Sequence, residues 1–269
     1  MFRGLDDFTC FDEPFNPILP THLPKQHRKK TWDEFIQLWR DDHEMFNKHL
    51  EVIYPQDEAI ESLSKRQIDY IKYLSQCPTI IDFTRVNFKC SQLINEFPDV
   101  SLLYLFRSPV AFVSSHIINS ENRRLLRQQF YKSMFFSGMV GCNSWGLDDV
   151  IKTSHFQDLI DRLDIRPKKP VQRLRSVEKL LLFWLAARRY SQAVADESEK
   201  RVFIGSYEKI IDGTCDNFSA ALASAGIEKE SLSLNHLTQY SLGFEHDSLK
   251  WFNLALNAGF EDFEINSYF

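Results

Sequence analysis

The chain is poor in cysteine. Its 269 residues contain five, Cys10, Cys77, Cys90, Cys142 and Cys215, scattered and without CxxC spacing. An odd, dispersed set gives no basis for a disulfide framework or a thiolate metal site, and reads as small apolar residues in a reducing compartment. The eight histidines form no HxxxH or HExxH pattern, so no metal centre is expected. There is no GxSxG elbow, no paired Cys/His signature and no GxxxxGK[ST] loop. Internal repeats and low-complexity tracts are lacking. No apolar run approaches the length that spans a bilayer, and MFRGLDDFTC lacks the basic and then apolar segments of a signal peptide. These absences lead to the expectation of a cytoplasmic protein. Excess positive charge is missing too: 32 basic residues against 37 acidic ones give a net charge of −5, which opposes a dedicated nucleic-acid binder.

Aromatic residues are abundant. Twenty-three Phe, nine Tyr and five Trp predict a core, and a cleft, lined with rings. The length accommodates one large domain or two small ones, and the chain is read as a single domain over 1–269. Residues 14–24 (PFNPILPTHLP) hold four prolines and predict an ordered connection that is not helical. A basic cluster, KQHRKK at 25–30, precedes a helix expected from a Thr31 cap through TWDEFIQLWRDDHEMFNKHL. The cluster reads as a solvated patch or as a device that steers an anionic sugar. A second helix is expected over 58–76.

Continuous apolar runs at 79–83 (TIIDF), 100–106 (VSLLYLF) and 202–205 (VFIG), separated by helical segments such as 87–96, read as buried parallel strands. Leu174, Val177, Leu181, Trp184 and Val194 recur with helical period, predicting a long packed helix. Another helix is expected near 247–257. Residues 140–172, with GCNSWGLDD and RPKKP, read as a mobile insert or substrate-side loop, and the stretch 119–172 carries no code for a substrate.

The stretch LLYLFRSPVAFVSSHI, 102–117, holds the most chemistry. Ser108 is a good N-cap and Pro109 a good first helical residue, so a helix starts there. Arg107 then stands at the C-terminal end of a parallel strand and before a helix N-terminus, the place where α/β sheets bind ligands and where phosphate is favoured. Ser115, seven residues beyond Ser108, shares its helical face, so a guanidinium and a hydroxyl can meet one anion. An Arg paired with a nearby carboxylate fits the same spacing.

A strand ending in Arg-x-Pro with a Ser eight residues after the Arg resembles the 3′-phosphate-binding segment of sulfotransferases that use 3′-phosphoadenosine 5′-phosphosulfate (PAPS). The FPD turn inside INEFPDVSLLYLFRSP, the Tyr-Glu element of RVFIGSYEKI and the closing ALNAGF are similar to that family as well. The resemblance runs from about residue 11 to the end. It implies a three-layer α/β/α domain with a small parallel sheet, the sulfotransferase variant of the P-loop-NTPase-like fold, and a helix-rich C-terminal half. It also implies that Arg107 and Ser115 hold the 3′-phosphate.

Carbohydrate sulfotransferases commonly carry a Glu-Pro pair whose glutamate is the candidate base. Glu13 in DEPFNP matches it. A turn cap or an ion pair with a lysine is the other reading of Asp12 and Glu13. Sulfuryl transfer asks for a carboxylate near the acceptor hydroxyl and for cations near the leaving oxygen, without a metal. In IIDFTRVNFK the residues Asp82, Phe83 and Thr84 stand where cytosolic members carry Lys-Thr-His. Arg85 and Lys89 are the nearby cations for sulfate or cofactor, or else partners in surface ion pairs.

The family's Gly/Ser/Thr-rich phosphosulfate loop has no counterpart. MFRGLDDFTCFD reads as the end of a first helix and its exit, so the first strand and its phosphate loop are expected to be missing, with exposed sheet edges as the result. The expected function is PAPS-dependent transfer of a sulfuryl group to a hydroxyl of a carbohydrate or other small acceptor, with no nucleic-acid partner and no membrane span. The alternative is a degenerate, non-catalytic nucleotide-binding relative. A kinase of related architecture lacks its lysine loop and carboxylate pair. Oligomeric state is not encoded legibly.

Overall fold

The structure, a computed structural model, describes residues 5, 7–25, 32–117, 144–198, 201–232 and 248–269. It is mixed α/β, with two small parallel sheets among many helices. The chain divides into two compact units, Met1–Ser101 with Leu222–Leu237, and Leu102–Ala221 with Thr238–Phe269. Thr31, most of the basic cluster, Cys142 and residues 119–143 of the expected substrate stretch lie outside the described residues.

In the first unit, strand β1 (Thr9–Asp12) pairs in parallel with β2 (Thr79–Asp82), Thr9 opposite Thr79 and Asp12 opposite Asp82. The strand at 79–82 follows its apolar run. The one at 9–12 corrects the expectation of a helix end, because the short run TCF pairs with β2 and buries Phe11. Helix α1 (Leu19–His22) corrects the non-helical reading of 14–24. Its proline, Pro20, occupies the first turn, where no amide hydrogen is needed.

The long amphipathic stretch after Trp32 forms two helices, α2 (Asp33–Asp41) and α3 (His43–His49). Asp42 leaves the helical region and its carboxylate accepts from Met45 N at 2.9 Å, capping the second helix at the expense of continuity. Helix α4 (Lys65–Leu74) begins later than periodicity suggested, because Ser64 and Gln67 form a reciprocal capping box. Helix α5 (Cys90–Glu96) completes the unit. Rings fill its core: Phe11 lies 5.0 Å from Phe35, and Phe15 packs on Tyr70 and Phe83 at 5.8 and 5.7 Å.

In the second unit, β3 (Leu102–Phe106) pairs in parallel with β4 (Val202–Ser206) from Leu102 opposite Val202 to Phe106 opposite Ser206. Each leads directly into a helix, α6 (Pro109–Ile117) after β3 and α10 (Tyr207–Ile211) after β4, and α11 (Asp216–Ser224) follows α10 in sequence. Between them in sequence lie α7 (Leu147–Ile151), α8 (Ser154–Arg162) and the long α9 (Ser176–Glu197). The stretch read as a loop over 140–172 is thus largely helical from Leu147. Buried Leu147, Val150, Phe156 and Leu159 supply an apolar face that its glycine, proline and charge had obscured.

Helix α9 is buried along much of its length. It packs on α6, β4 and, near the C-terminus, α12 (Ser248–Ala258). Helix α13 (Asp262–Tyr268) is fastened to it by Arg189. That guanidinium donates to both oxygens of Glu264 at 2.9 Å, to Glu261 at 2.8 Å and to the carbonyls of Leu163 and Asp164.

The Gly-Phe pair of the closing segment has a steric reason. Gly259 takes φ +101°, and a Cβ there would stand 3.1 Å from the Arg166 carbonyl carbon and 3.2 Å from Pro167 N. The turn delivers Phe260, 4% exposed, onto Trp184 with ring centroids 6.0 Å apart. Gly259→Ala should lower stability by about 2–4 kcal/mol, from the backbone conformation and the overlap together. Urea unfolding monitored by tryptophan fluorescence checks this, with the midpoint expected to fall.

Candidate functional site

Two strand ends hold the candidate residues Arg107 and Glu13, one in each unit. In the second unit the parallel register continues past the last paired residues. Phe106 is opposite Ser206, so Arg107 falls beside Tyr207, and its guanidinium carbon lies 4.5 Å from the ring centroid. Ser108 falls beside Glu208 by the same logic. The Glu208 carboxylate accepts from Ser108 N at 2.8 Å and from the Ser206 hydroxyl at 2.9 Å, tying both strand-to-helix turns together. Trp184 Nε1 donates to the Arg107 carbonyl at 3.0 Å. The backbone of Arg107 is thus held from α9 and the next amide from α10.

Ser108 caps α6 as its spacing predicts, its hydroxyl accepting from Ala111 N at 3.2 Å. Ser115, exposed near the other end of that helix, donates to the Phe112 carbonyl at 2.8 Å and lies 3.3 Å from His116 Nδ1. Holding a phosphate would require its hydroxyl hydrogen to rotate away from Phe112.

His116 carries little signal in the sequence. It packs against Phe112 and Trp145, at 4.3 and 4.2 Å between ring centroids, and its Nδ1 lies 2.8 Å from the Phe112 carbonyl. Burial pushes its pKa down to about 4. The Phe112 carbonyl opposes that shift and the charge of Arg107 reinforces it, so the imidazole is neutral at ordinary pH.

In the first unit, the DEPFNP turn closes the β1 strand end. Glu13 N donates to the Asp82 carbonyl at 2.9 Å, adding one rung to the ladder. Glu13 adopts φ +55°, a left-handed conformation that costs a non-glycine residue of the order of 1 kcal/mol. Asn16 offsets this: its side-chain amide donates to Glu13 Oε2 at 2.5 Å, and its Oδ1 accepts from Ile18 N. Pro14, Phe15 and Asn16 are buried, which anchors the turn that carries Glu13.

The register also sets Asp12 opposite Asp82 with Glu13 adjacent. Loss of hydration, followed by the charges of Asp12 and Glu13, pushes Asp82 up to about 6, although the residue retains solvent contact. In the sequence, Asp82 stands out only as a departure from a family pattern. The pairing of the two strands, which makes it a neighbour of Glu13, depends on a strand at 9–12 that was not expected.

Arg85 and Lys89 lie in the same unit as Glu13. Lys89 is 1% exposed, and its ammonium donates to the carbonyls of Asp57, Glu58 and Ile60. Its expected place on a sulfate or cofactor is corrected: three carbonyls engage the ammonium and pin the 57–60 backbone. Burial lowers its pKa to about 8, against the opposing pull of Glu58 and other nearby acids. Arg85 faces the buried carboxylate of Glu58 at 3.6 Å.

Among the described residues no group of three or more His, Cys, Asp or Glu is placed to hold a metal ion, and no helix is long and apolar enough to cross a membrane. No protein-family profile, curated protein or solved structure matches the chain.

The raised Asp82 pKa has a definite sign. A carboxyl whose folded pKa lies above its unfolded value contributes stability that is present below about pH 4 and lost as pH rises through about 6. Asp82→Asn should therefore raise the melting temperature relative to the parent at pH 7.5, with the gain vanishing near pH 4. Paired thermal melts across that range measure it.

Proposed function

We propose that the chain is a PAPS-dependent sulfotransferase of the three-layer α/β/α type, moving a sulfuryl group to a hydroxyl of a carbohydrate or other small acceptor. The observation that carries the reading is the β3–α6 turn. Arg107 leaves a parallel strand, stacks on Tyr207 and precedes a helix N-terminus capped by Ser108, with its neighbouring amide fixed by Glu208. A guanidinium leaving a strand end just before a helix N-terminus suits a phosphate, here the nucleotide 3′-phosphate. Ser115 is assigned to the same phosphate through the spacing of its motif, with His116 neutral beside it.

In this reading Glu13 is the base. Asn16 fixes one carboxylate oxygen, and the other takes the acceptor's hydroxyl proton. The acceptor oxygen then bonds to sulfur as the bond from sulfur to the bridging phosphate oxygen breaks, and 3′-phosphoadenosine 5′-phosphate (PAP) leaves with that electron pair. Asp82, shifted toward neutrality by loss of hydration and then by the charges of Asp12 and Glu13, tunes the charge around Glu13.

A second reading, a non-catalytic protein that binds the nucleotide, keeps the Arg107 turn and drops the base: Asp12, Glu13 and Asp82 cluster carboxylates at one strand end, a setting that repels an anionic reactant.

Arg107→Ala should weaken PAP binding at least tenfold by calorimetry, as expected for removing a charge-assisted phosphate contact. Unchanged PAP affinity would sink the assignment. Glu13→Gln should leave PAPS binding within about twofold and abolish turnover of a sugar acceptor. Retained turnover would make another group the base, and PAP binding without turnover in the parent chain would favour the binding protein.

A further inference from the structure

Between helices α3 and α4 lies an open groove of about 430 Å³ whose lining side chains are polar or charged. Lys48 and His49 reach it from the end of α3, and Arg66, Asp69, Lys72 and Tyr73 from α4. The α4 residues recur at intervals of three and four, so they form a row along one face of the helix. The volume falls within the range of small-ligand sites.

Three cations face one carboxylate in this groove. Among the described residues the ammonium groups of Lys48 and Lys72 have no ion-pair or hydrogen-bond partner. Arg66 pairs through Nε with Glu51 at 2.9 Å, yet its side chain stays 73% exposed. Asp42 and Asp41, whose charges add to loss of hydration in raising the Tyr73 pKa, stand outside the lining and are engaged elsewhere. Asp41 accepts from Gln37 and Asp42 caps α3. Lys48 and Lys72 occupy last turns, where the helix dipole favours a cation. The dipole gives no reason for Arg66, which stands in the first turn of α4 and completes the set.

The wall of the groove is preformed. The His49 ring lies parallel to Tyr73, with centroids 4.6 Å apart and planes 5° apart, and Tyr73 backs onto buried Phe46 at 6.4 Å. Six residues separate Arg66 from Lys72, about 9 Å of helical rise. Several anionic groups on one carrier match that spacing, whereas a lone ion meets only part of the row.

We propose that this groove binds a small polyanion, a molecule carrying several sulfate or phosphate groups. Lys48, Arg66 and Lys72 take its charges, and the paired rings of His49 and Tyr73 wall it in. None of these residues belongs to the nucleotide or base assignments, so the proposal does not rest on the sulfotransferase reading.

Sucrose octasulfate and inorganic tripolyphosphate are the probes, each titrated calorimetrically at constant ionic strength into the full chain carrying Arg107→Ala, which removes the assigned nucleotide contact. At least one is expected to bind. Lys48→Ala combined with Lys72→Ala should weaken it at least tenfold, through loss of two charge-assisted contacts. Asp69→Asn should strengthen it about two- to fivefold by deleting the carboxylate of the lining. Lys152→Ala removes an exposed cation from the other unit and should leave affinity unchanged. Circular dichroism melts verify that each variant folds, and glutamine replaces alanine at any lysine where it does not.

Binding of the octasulfate alone makes the ligand a sulfated sugar, binding of tripolyphosphate alone makes it a phosphate compound, and either supports the groove. Four results overturn the proposal: binding of neither, full affinity in the double-lysine variant, weaker binding with Asp69→Asn, or an equal loss with Lys152→Ala, which would reduce the effect to overall charge. Polyanion binding in a parent chain that does not bind PAP leaves the groove standing and removes the sulfotransferase reading.

Discussion

Parallel register is the constraint on which the rest depends. Two strands running the same way deliver their next residues side by side at the same end, whatever those residues are. At β3 and β4 this brings Arg107 to Tyr207 and Ser108 to Glu208. At β1 and β2 it brings Asp12 to Asp82 and places Glu13 on the next rung. One geometric rule thus assembles a cation on an aromatic face in one unit and a crowd of carboxylates in the other.

The two ends handle charge differently. Glu208 satisfies an amide and a hydroxyl, so its carboxylate works as a clasp between two strand-to-helix turns while Arg107 rests on a ring. At the acidic end, loss of hydration and then the like charges of Asp12 and Glu13 raise the proton affinity of Asp82. The backbone is strained there too, in the left-handed conformation of Glu13, which Asn16 steadies from within the turn. The buried Pro14, Phe15 and Asn16 of the DEPFNP turn hold Glu13 in that conformation at the strand end.

Much of this was legible in the sequence where local chemistry decides. The strands at 79–82 and 102–106 and the 22-residue α9 follow from apolar runs and helical period. The Ser108–Pro109 helix start follows from capping. What was not legible depends on partners distant in the chain. TCFD is too short and mixed to announce a strand, and becomes one only against β2. The segment from Leu147 hid two helices behind glycine, proline and charge. Lys89 looked like a surface cation because nothing local says that three carbonyls from 57–60 enclose it. The strands were expected in one small sheet, whereas they form two parallel pairs, since pairing choice is not written in any single strand.

The most direct test of the account is amide hydrogen exchange with and without PAP, followed by mass spectrometry. If the register-built turn is the phosphate site, PAP will slow exchange in peptides covering 107–111 and 206–209, with little change over 9–16. Protection absent from both of those turns, while PAP demonstrably binds, would contradict the account and move the nucleotide to another part of the molecule.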